Sequence, residues 1–131
     1  AQTTCAHVNH FYKSVLGALE FDGPAIVVCY TTCQPEHGVA DNMAGEQAKL
    51  AVDTRAFPIL IYDPRKGDKV KERLSLVGNP ALKDDWWKNP KTGEEVSFID
   101  FARSEGRFAK HFDKDGNPSE VLLHAKQDRL E

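Results

Sequence analysis

The sequence predicts an α/β fold: a layered arrangement with a mostly parallel sheet, followed by an extended arm and C-terminal helices. Three observations predict it. AIVVCY, residues 25–30, is continuously apolar and rich in β-branched side chains, as a strand buried on both faces of a parallel sheet would be. FPILIYDP, residues 57–64, is a second short apolar run, ended by Asp63 and Pro64. Between them lie a loop and a helical pattern. Strand, loop, helix and strand in about forty residues make a βαβ unit, whose crossover is expected to be right-handed.

The elements follow in order. Residues 1–4 read as the tail of a strand. In HVNHFYKSVLGALE, residues 7–20, Val8, Phe11, Tyr12, Val15, Leu16 and Leu19 recur at helical spacing and form one apolar stripe. Thr3 or Thr4 is placed to cap that helix, and Asp22, Gly23 and Pro24 end it near Phe21. After the strand at 25–30, residues 31–41 form a loop. A second helix starts at Asp41 or Asn42, with Met43, Gln47, Leu50, Ala51 and Thr54 on one face and Ala44 and Ala48 adding helix propensity.

Past Pro64 the chain turns polar, with repeated Gly and Pro. Residues 65–95 read as an arm with a hairpin, wrapped on the core. Trp86 and Trp87 are its anchors, and NPKTG at 89–93 is its turn. Ser97, with Asp100 three residues on, forms a capping box that opens a helix. Phe98, Phe101, Ala102, Phe108 and Phe112 share a face, and Gly106 is a soft spot. DKDGNP, 113–118, is a turn, and Ser119 caps a last helix with Val121, Leu122, Ala125 and Leu130 on or near one side. The expected organisation is a partial α/β core at 1–64 and an arm with C-terminal helices at 65–131, packed on the same domain.

Composition bounds the function. With 131 residues, 40% hydrophobic and 28% charged, the chain is long enough for one domain with its own core. No apolar run reaches the ~18 residues of a membrane span, and no basic stretch precedes an apolar one as in a secretory signal. A net charge of -3 and a pI near 6.0 leave no basic stripe for nucleic acid. The 3 cysteines, Cys5, Cys29 and Cys33, are too sparse for a disulfide framework and favour a reducing, cytoplasmic setting. The chain opens without methionine and closes on an amphipathic pattern without a glycine stop, the expectation being an excerpt of a longer polypeptide.

Among residues that carry chemistry, Cys33 comes first. It lies three residues past Tyr30, in a loop beyond a strand's carboxyl end, where α/β sheets build their crevices. A buried apolar role is the ordinary fate of cysteine, but the flanking Thr-Thr and Gln-Pro-Glu-His do not resemble core. A thiolate there serves as nucleophile or metal ligand, although a cluster needs three further ligands. Cys29 reads as core. Cys33 and His37 make CxxxH, with no second pair for zinc; a Cys-His nucleophilic couple stays open. His7 and His10 have too few partners for a metal and read as solvated or capping. Residues 113–124 fail the calcium-loop pattern, with Pro118 at the sixth position and His124 at the twelfth. No GxGxxG or GxxxxGK[ST] occurs.

GPAIVVCYTTCQPEHGV resembles a segment of the 2-oxoacid:ferredoxin (flavodoxin) oxidoreductases, the pyruvate type, that runs GP, apolar strand, Tyr-Ser-Pro-Cys-x-x-His-Gly. Gly23, Pro24, Tyr30, Cys33, His37 and Gly38 fall on that pattern. QAKLAVDTRAFPILIYDP is similar to the family's K-x-A-V-x-x-G-x-[FYW]-P-L-[FYW]-x-[FY]-[DN]-P block. FIDFARSEGRFAKHF is similar to its F-x-x-F-L-x-x-E-x-R-[FY] block through Phe98, Phe101, Glu105, Arg107 and Phe108, and AQTTCAH to its V-A-Q strand end. The blocks occur in order over nearly the whole chain. Thr31 and Thr32 replace the family's Ser-Pro, Gln34-Pro35-Glu36 stands where the family is shorter, the arm is longer, and residues 52–55 lack the family's glycine.

The resemblance implies the C-terminal half of a thiamine diphosphate-binding domain in an enzyme that oxidatively decarboxylates pyruvate or a related 2-oxoacid to an acyl-CoA. Electrons leave through [4Fe-4S] clusters to ferredoxin or flavodoxin. The role carried over to Cys33 is the fourth ligand of the cluster nearest the thiamine. The motif for Mg²⁺ and the diphosphate and the other three cluster cysteines are not in this sequence, so the piece alone is expected to be inactive. Its partners would be the remainder of the parent enzyme, expected to be a homodimer, with coenzyme A and the 2-oxoacid as substrates. A free-standing, non-catalytic α/β binding module and a small thiol enzyme using Cys33 and His37 are the alternatives.

Overall fold

The computed structural model describes residues 1–80, 88 and 92–130. Helices and strands are mixed, with a small parallel sheet at the centre of the N-terminal part. Strand β1 (Gln2–Thr4) runs parallel to β2 (Val28–Tyr30), with Thr3 opposite Cys29. Helix α1 (Val8–Leu19) connects them. The βαβ unit is therefore β1–α1–β2, one step earlier than the pattern of apolar runs suggests.

The run at 57–62 returns on the other side of β1, antiparallel rather than parallel. Gln2 and Leu60 exchange both backbone hydrogen bonds at 2.9 Å, and the Gln2 amide donates to the Pro58 carbonyl at 2.7 Å. Strand β3 (Ile61–Tyr62) then pairs antiparallel with β4 (Leu74–Ser75). The apolar run alone could not reveal this direction, because alternation of side chains is the same in both senses of pairing. Ile26 and Val28 are exposed, contrary to the expected two-faced burial, and β2 pairs along one edge only among the described residues.

Thr3 and Thr4 do not cap α1. They belong to β1, and His7 occupies the cap position with no side-chain cap bond. Both threonines are fully buried and hold the histidines instead. Thr4 Oγ1 bonds His7 Nδ1 at 2.8 Å and Thr3 Oγ1 bonds His10 Nδ1 at 2.9 Å, so each partly exposed ring is anchored to β1 through one nitrogen and does not cap α1. The expected stripe on α1 exists but faces outward. Val8, Tyr12, Leu16 and Leu19 are exposed, and Ser14 is the buried residue of the helix.

The loop after β2 contains one helical turn, α2 (Gln34–His37). A 3₁₀ turn at Asp41–Met43 leads into α3 (Ala44–Asp53), which buries Gln47, Ala48, Ala51 and Val52. The arm holds α4 (Val70–Arg73) and β4. Lys88 and Glu95 form an antiparallel bridge, the pairing a hairpin requires. Trp86, Trp87 and most of the expected turn lie outside the described residues. Helix α5 (Phe98–Arg103) starts as expected, with Ser97 and Asp100 forming the capping box. It ends early, and a 3₁₀ segment, Gly106–His111, follows. Asp113 accepts the backbone N–H groups of Asp115 (2.9 Å) and Asn117 (2.7 Å), which closes the expected turn. The Ser119 hydroxyl makes no hydrogen bond among the described residues, so it does not cap α6 (Glu120–Leu130), and Val121 is exposed. The principal core joins α3, α5 and α6 through Ala51, Phe98, Phe101, Ala102 and Leu122, with Tyr30, Phe57, Phe108 and Phe112 packed against it.

Candidate functional site

Cys33 ends the extended segment after β2. Its backbone is extended, its carbonyl accepts the His37 N–H at 2.8 Å, and its side chain is free and exposed. Pro35 suits the first turn of α2 because its missing N–H has no partner to lose there. Gly38 closes the turn in the left-handed region at φ 64°, its N–H donating to the Gln34 carbonyl at 2.9 Å. A Cβ at Gly38 would stand 2.9 Å from the Gly106 Cα. Two glycines thus let the Cys33 loop lie directly on the backbone that follows Glu105.

Glu105 is the hub of the site. It is 1% exposed. A carboxylate so desolvated is tolerated only with strong donors around it. Oε1 accepts from the Tyr30 phenol at 2.7 Å and from the Gln47 amide at 3.1 Å. Oε2 accepts from Nε of Arg107, which also forms an ion pair with it. Gln47 is held in that orientation by the Ser104 hydroxyl, 3.0 Å from its Oε1. Burial, and then the bond to Glu105, push the Tyr30 phenol well above its ordinary range, so it remains a protonated donor.

His37 completes the cluster. Nη1 of Arg107 lies 3.4 Å from its Nε2, and its Nδ1 lies 3.8 Å from Oε1 of Glu105. Arginine can only donate, so a hydrogen bond there needs Nε2 as the acceptor, while the buried Nδ1 has no hydrogen-bond partner among the described residues. Both ring nitrogens face Glu105 and Arg107, which argues against His37 as a base for Cys33. Next to the cluster opens a cleft of ≈ 510 Å³, lined by Tyr30, His37, Phe57, Phe101, Arg107 and Arg129 among others.

Cys29 is partly buried. It belongs to neither core cluster, contrary to the expected core position; its thiol lies 3.7 Å from the Tyr30 carbonyl, and burial raises its pKa. Cys5 is free and exposed. Among the described residues no group of three His, Cys, Asp or Glu could hold a metal ion. Cys33 offers one free, exposed thiol beyond the end of β2.

The structure brings together Tyr30, His37, Gly38, Glu105 and Arg107, which stand in two separate blocks of the sequence. It adds Gln47, Ser104 and Gly106. One signal for the hub was present in the sequence: a Glu and an Arg two residues apart inside the aromatic segment FARSEGRF. Nothing local marked Gln47 as its partner.

No protein-family model matches the chain. Curated relatives similar to it include three pyruvate oxidoreductases. The probable pyruvate-flavodoxin oxidoreductase of Escherichia coli is 29% identical over 57% of this chain and 6% of that protein. The pyruvate-flavodoxin oxidoreductase of Rhodospirillum rubrum is 26% identical over 93% of this chain and 9% of that protein. The pyruvate:ferredoxin oxidoreductase of Moorella thermoacetica is 29% identical over 76% of this chain and 7% of that protein. The chain thus spans less than a tenth of the length of these relatives.

Proposed function

We propose that this chain is a portion of an enzyme that oxidatively decarboxylates pyruvate or a related 2-oxoacid, and that its own contribution is one ligand, Cys33, to a [4Fe-4S] cluster. The observation that carries the reading is convergence. Residues from separate sequence blocks, Tyr30, His37, Gly38, Glu105 and Arg107, meet around the loop that presents an exposed Cys33. Similarity to pyruvate oxidoreductases over as much as 93% of the chain supports it independently.

In this reading the stub of sheet supplies rigidity and the loop supplies reach. The Cys33 thiolate completes a ligand set whose other members come from the remainder of the parent polypeptide. The acceptor is ferredoxin or flavodoxin, and the 2-oxoacid and coenzyme A are the substrates. Thiamine diphosphate with Mg²⁺, when bound, supplies the carbanion chemistry of decarboxylation. Residues 1–64 form part of the α/β core of the domain that binds it, and 65–131 an arm and helices packed on that core. The setting is a reducing cytoplasm, and the chain alone has no turnover.

The test is the iron and thiamine content of the full-length parent, with and without Cys33→Ala. Loss of the signal from the cluster nearest the thiamine, with thiamine retained, is the expected result. Unchanged iron and unchanged turnover would defeat the assignment.

A further inference from the structure

We infer that Glu105 is a positioning residue for the Cys33 thiolate, acting through Tyr30 and His37; this rests on the reading of Cys33 as a cluster ligand. Cys33 is exposed, yet the segment that carries it is tied to one carboxylate on one side by Tyr30 and is met on the other, at His37, by the Arg107 that pairs with the same carboxylate. Tyr30, three residues before Cys33, donates to Oε1 of Glu105 at 2.7 Å. His37, four residues after it, faces the same oxygen at 3.8 Å and is met from its other nitrogen by Arg107 at 3.4 Å. Gly38 presses on Gly106 so closely that a Cβ would not fit.

An apolar side chain could fill the space of Glu105, but it would not choose where the Tyr30 hydroxyl or the Arg107 guanidinium sits. A buried carboxylate makes that choice, because each missing donor leaves it desolvated and unpaired. Gln47 and Ser104 extend the constraint to α3 and α5, so both ends of the Cys33 segment are referred to the main core. Ligand orientation through hydrogen-bonded neighbours of this kind tunes metal centres.

The experiment uses the full-length parent holoenzyme, handled without oxygen, with Glu105→Gln, Tyr30→Phe, the double variant and Cys33→Ser. The readouts are iron content, the electron paramagnetic resonance spectrum of the cluster, its midpoint potential, and the rate of iron extraction by a chelator. Glu105→Gln is expected to shift the spectrum and potential and to speed iron extraction several-fold. Tyr30→Phe, which removes one hydroxyl and spares the fold, is expected to produce part of the same shift. The double variant should show less than the sum, because the two groups share one interaction. Folded Glu105→Gln and Tyr30→Phe enzymes with the parent spectrum, potential and extraction rate would overturn the inference, even if their thermal midpoints fell. Cys33→Ser that kept all its iron and the parent spectrum would sink the reading of Cys33 itself, whatever the Glu105 variants did.

Discussion

Asn79 stands in for a strand. It is buried, and its side chain takes both backbone groups of Ile59: Oδ1 accepts the N–H at 2.9 Å and Nδ2 donates to the carbonyl at 2.6 Å. Nδ2 also reaches the Leu76 carbonyl at 2.7 Å. Ile59 is itself fully buried, so without Asn79 two backbone groups would lose their partners away from water. Asn79→Ala is expected to cost on the order of 2–3 kcal/mol. Urea unfolding of the chain measures this, and a loss below about 0.5 kcal/mol would show that water or a neighbour takes over. The same logic applies to Glu105. At both positions one polar side chain replaces a regular element and decides the path of a segment distant in sequence.

At the scale of elements, α1 rests on β1 through its polar face. His7 and His10 bond the buried Thr4 and Thr3, and the Ser14 hydroxyl donates to the His10 carbonyl at 2.8 Å. Burial is the main reason both histidines are held below 6.5; for His7 the nearby Asp53 partly offsets it and Lys49 adds to it, and for His10 the charges of His7, Lys13 and the N-terminus add to it. The folded rings thus stay neutral where unfolded ones take up a proton. Below about 6.5 the unfolded chain binds more protons, so this contribution to stability is complete above that pH and is lost as pH falls through it. Asp53 acts in the opposite sense in a more acidic window, since burial raises its carboxyl above 3.8. The thermal midpoint is expected to fall from about pH 7.5 to about pH 5.5, and His10→Asn to flatten that slope. An equal slope in the variant would remove His10 from the account.

At the scale of the molecule, the outward face of α1 dominates. Val8 (55% exposed), Tyr12 (61%), Leu16 (56%) and Leu19 (78%) form a continuous stripe, and Ile26 (76%) adds to the apolar surface. Contiguous apolar surface of this kind promotes association. The isolated chain is expected to self-associate with rising concentration, and Leu16→Lys to shift it toward monomer. Analytical ultracentrifugation reads the outcome; an isolated, unsubstituted chain that stays monomeric throughout the range would contradict the expectation. No helix among the described residues is long and apolar enough to cross a membrane.

Much was legible in the sequence where short-range chemistry decides. Helix α1 follows from the period of its apolar residues, the start of α5 from Ser97 and Asp100, and the turn at 113–118 from Asp113 and Gly116. The aromatic face of Phe98, Phe101 and Phe108 was visible from spacing; Phe98 and Phe101 became core, and Phe108 packs against them half-buried. Only the tertiary structure decided which strands pair and in what sense, that the stripe of α1 faces out, and that Tyr30, Gln47 and His37 gather on Glu105. The physical reason is range. Capping, turn geometry and helical periodicity depend on neighbours within a few residues, whereas sheet pairing joins segments separated by whole elements, and the buried carboxylate of Glu105 takes donors from 58 and 75 positions away, Gln47 and Tyr30.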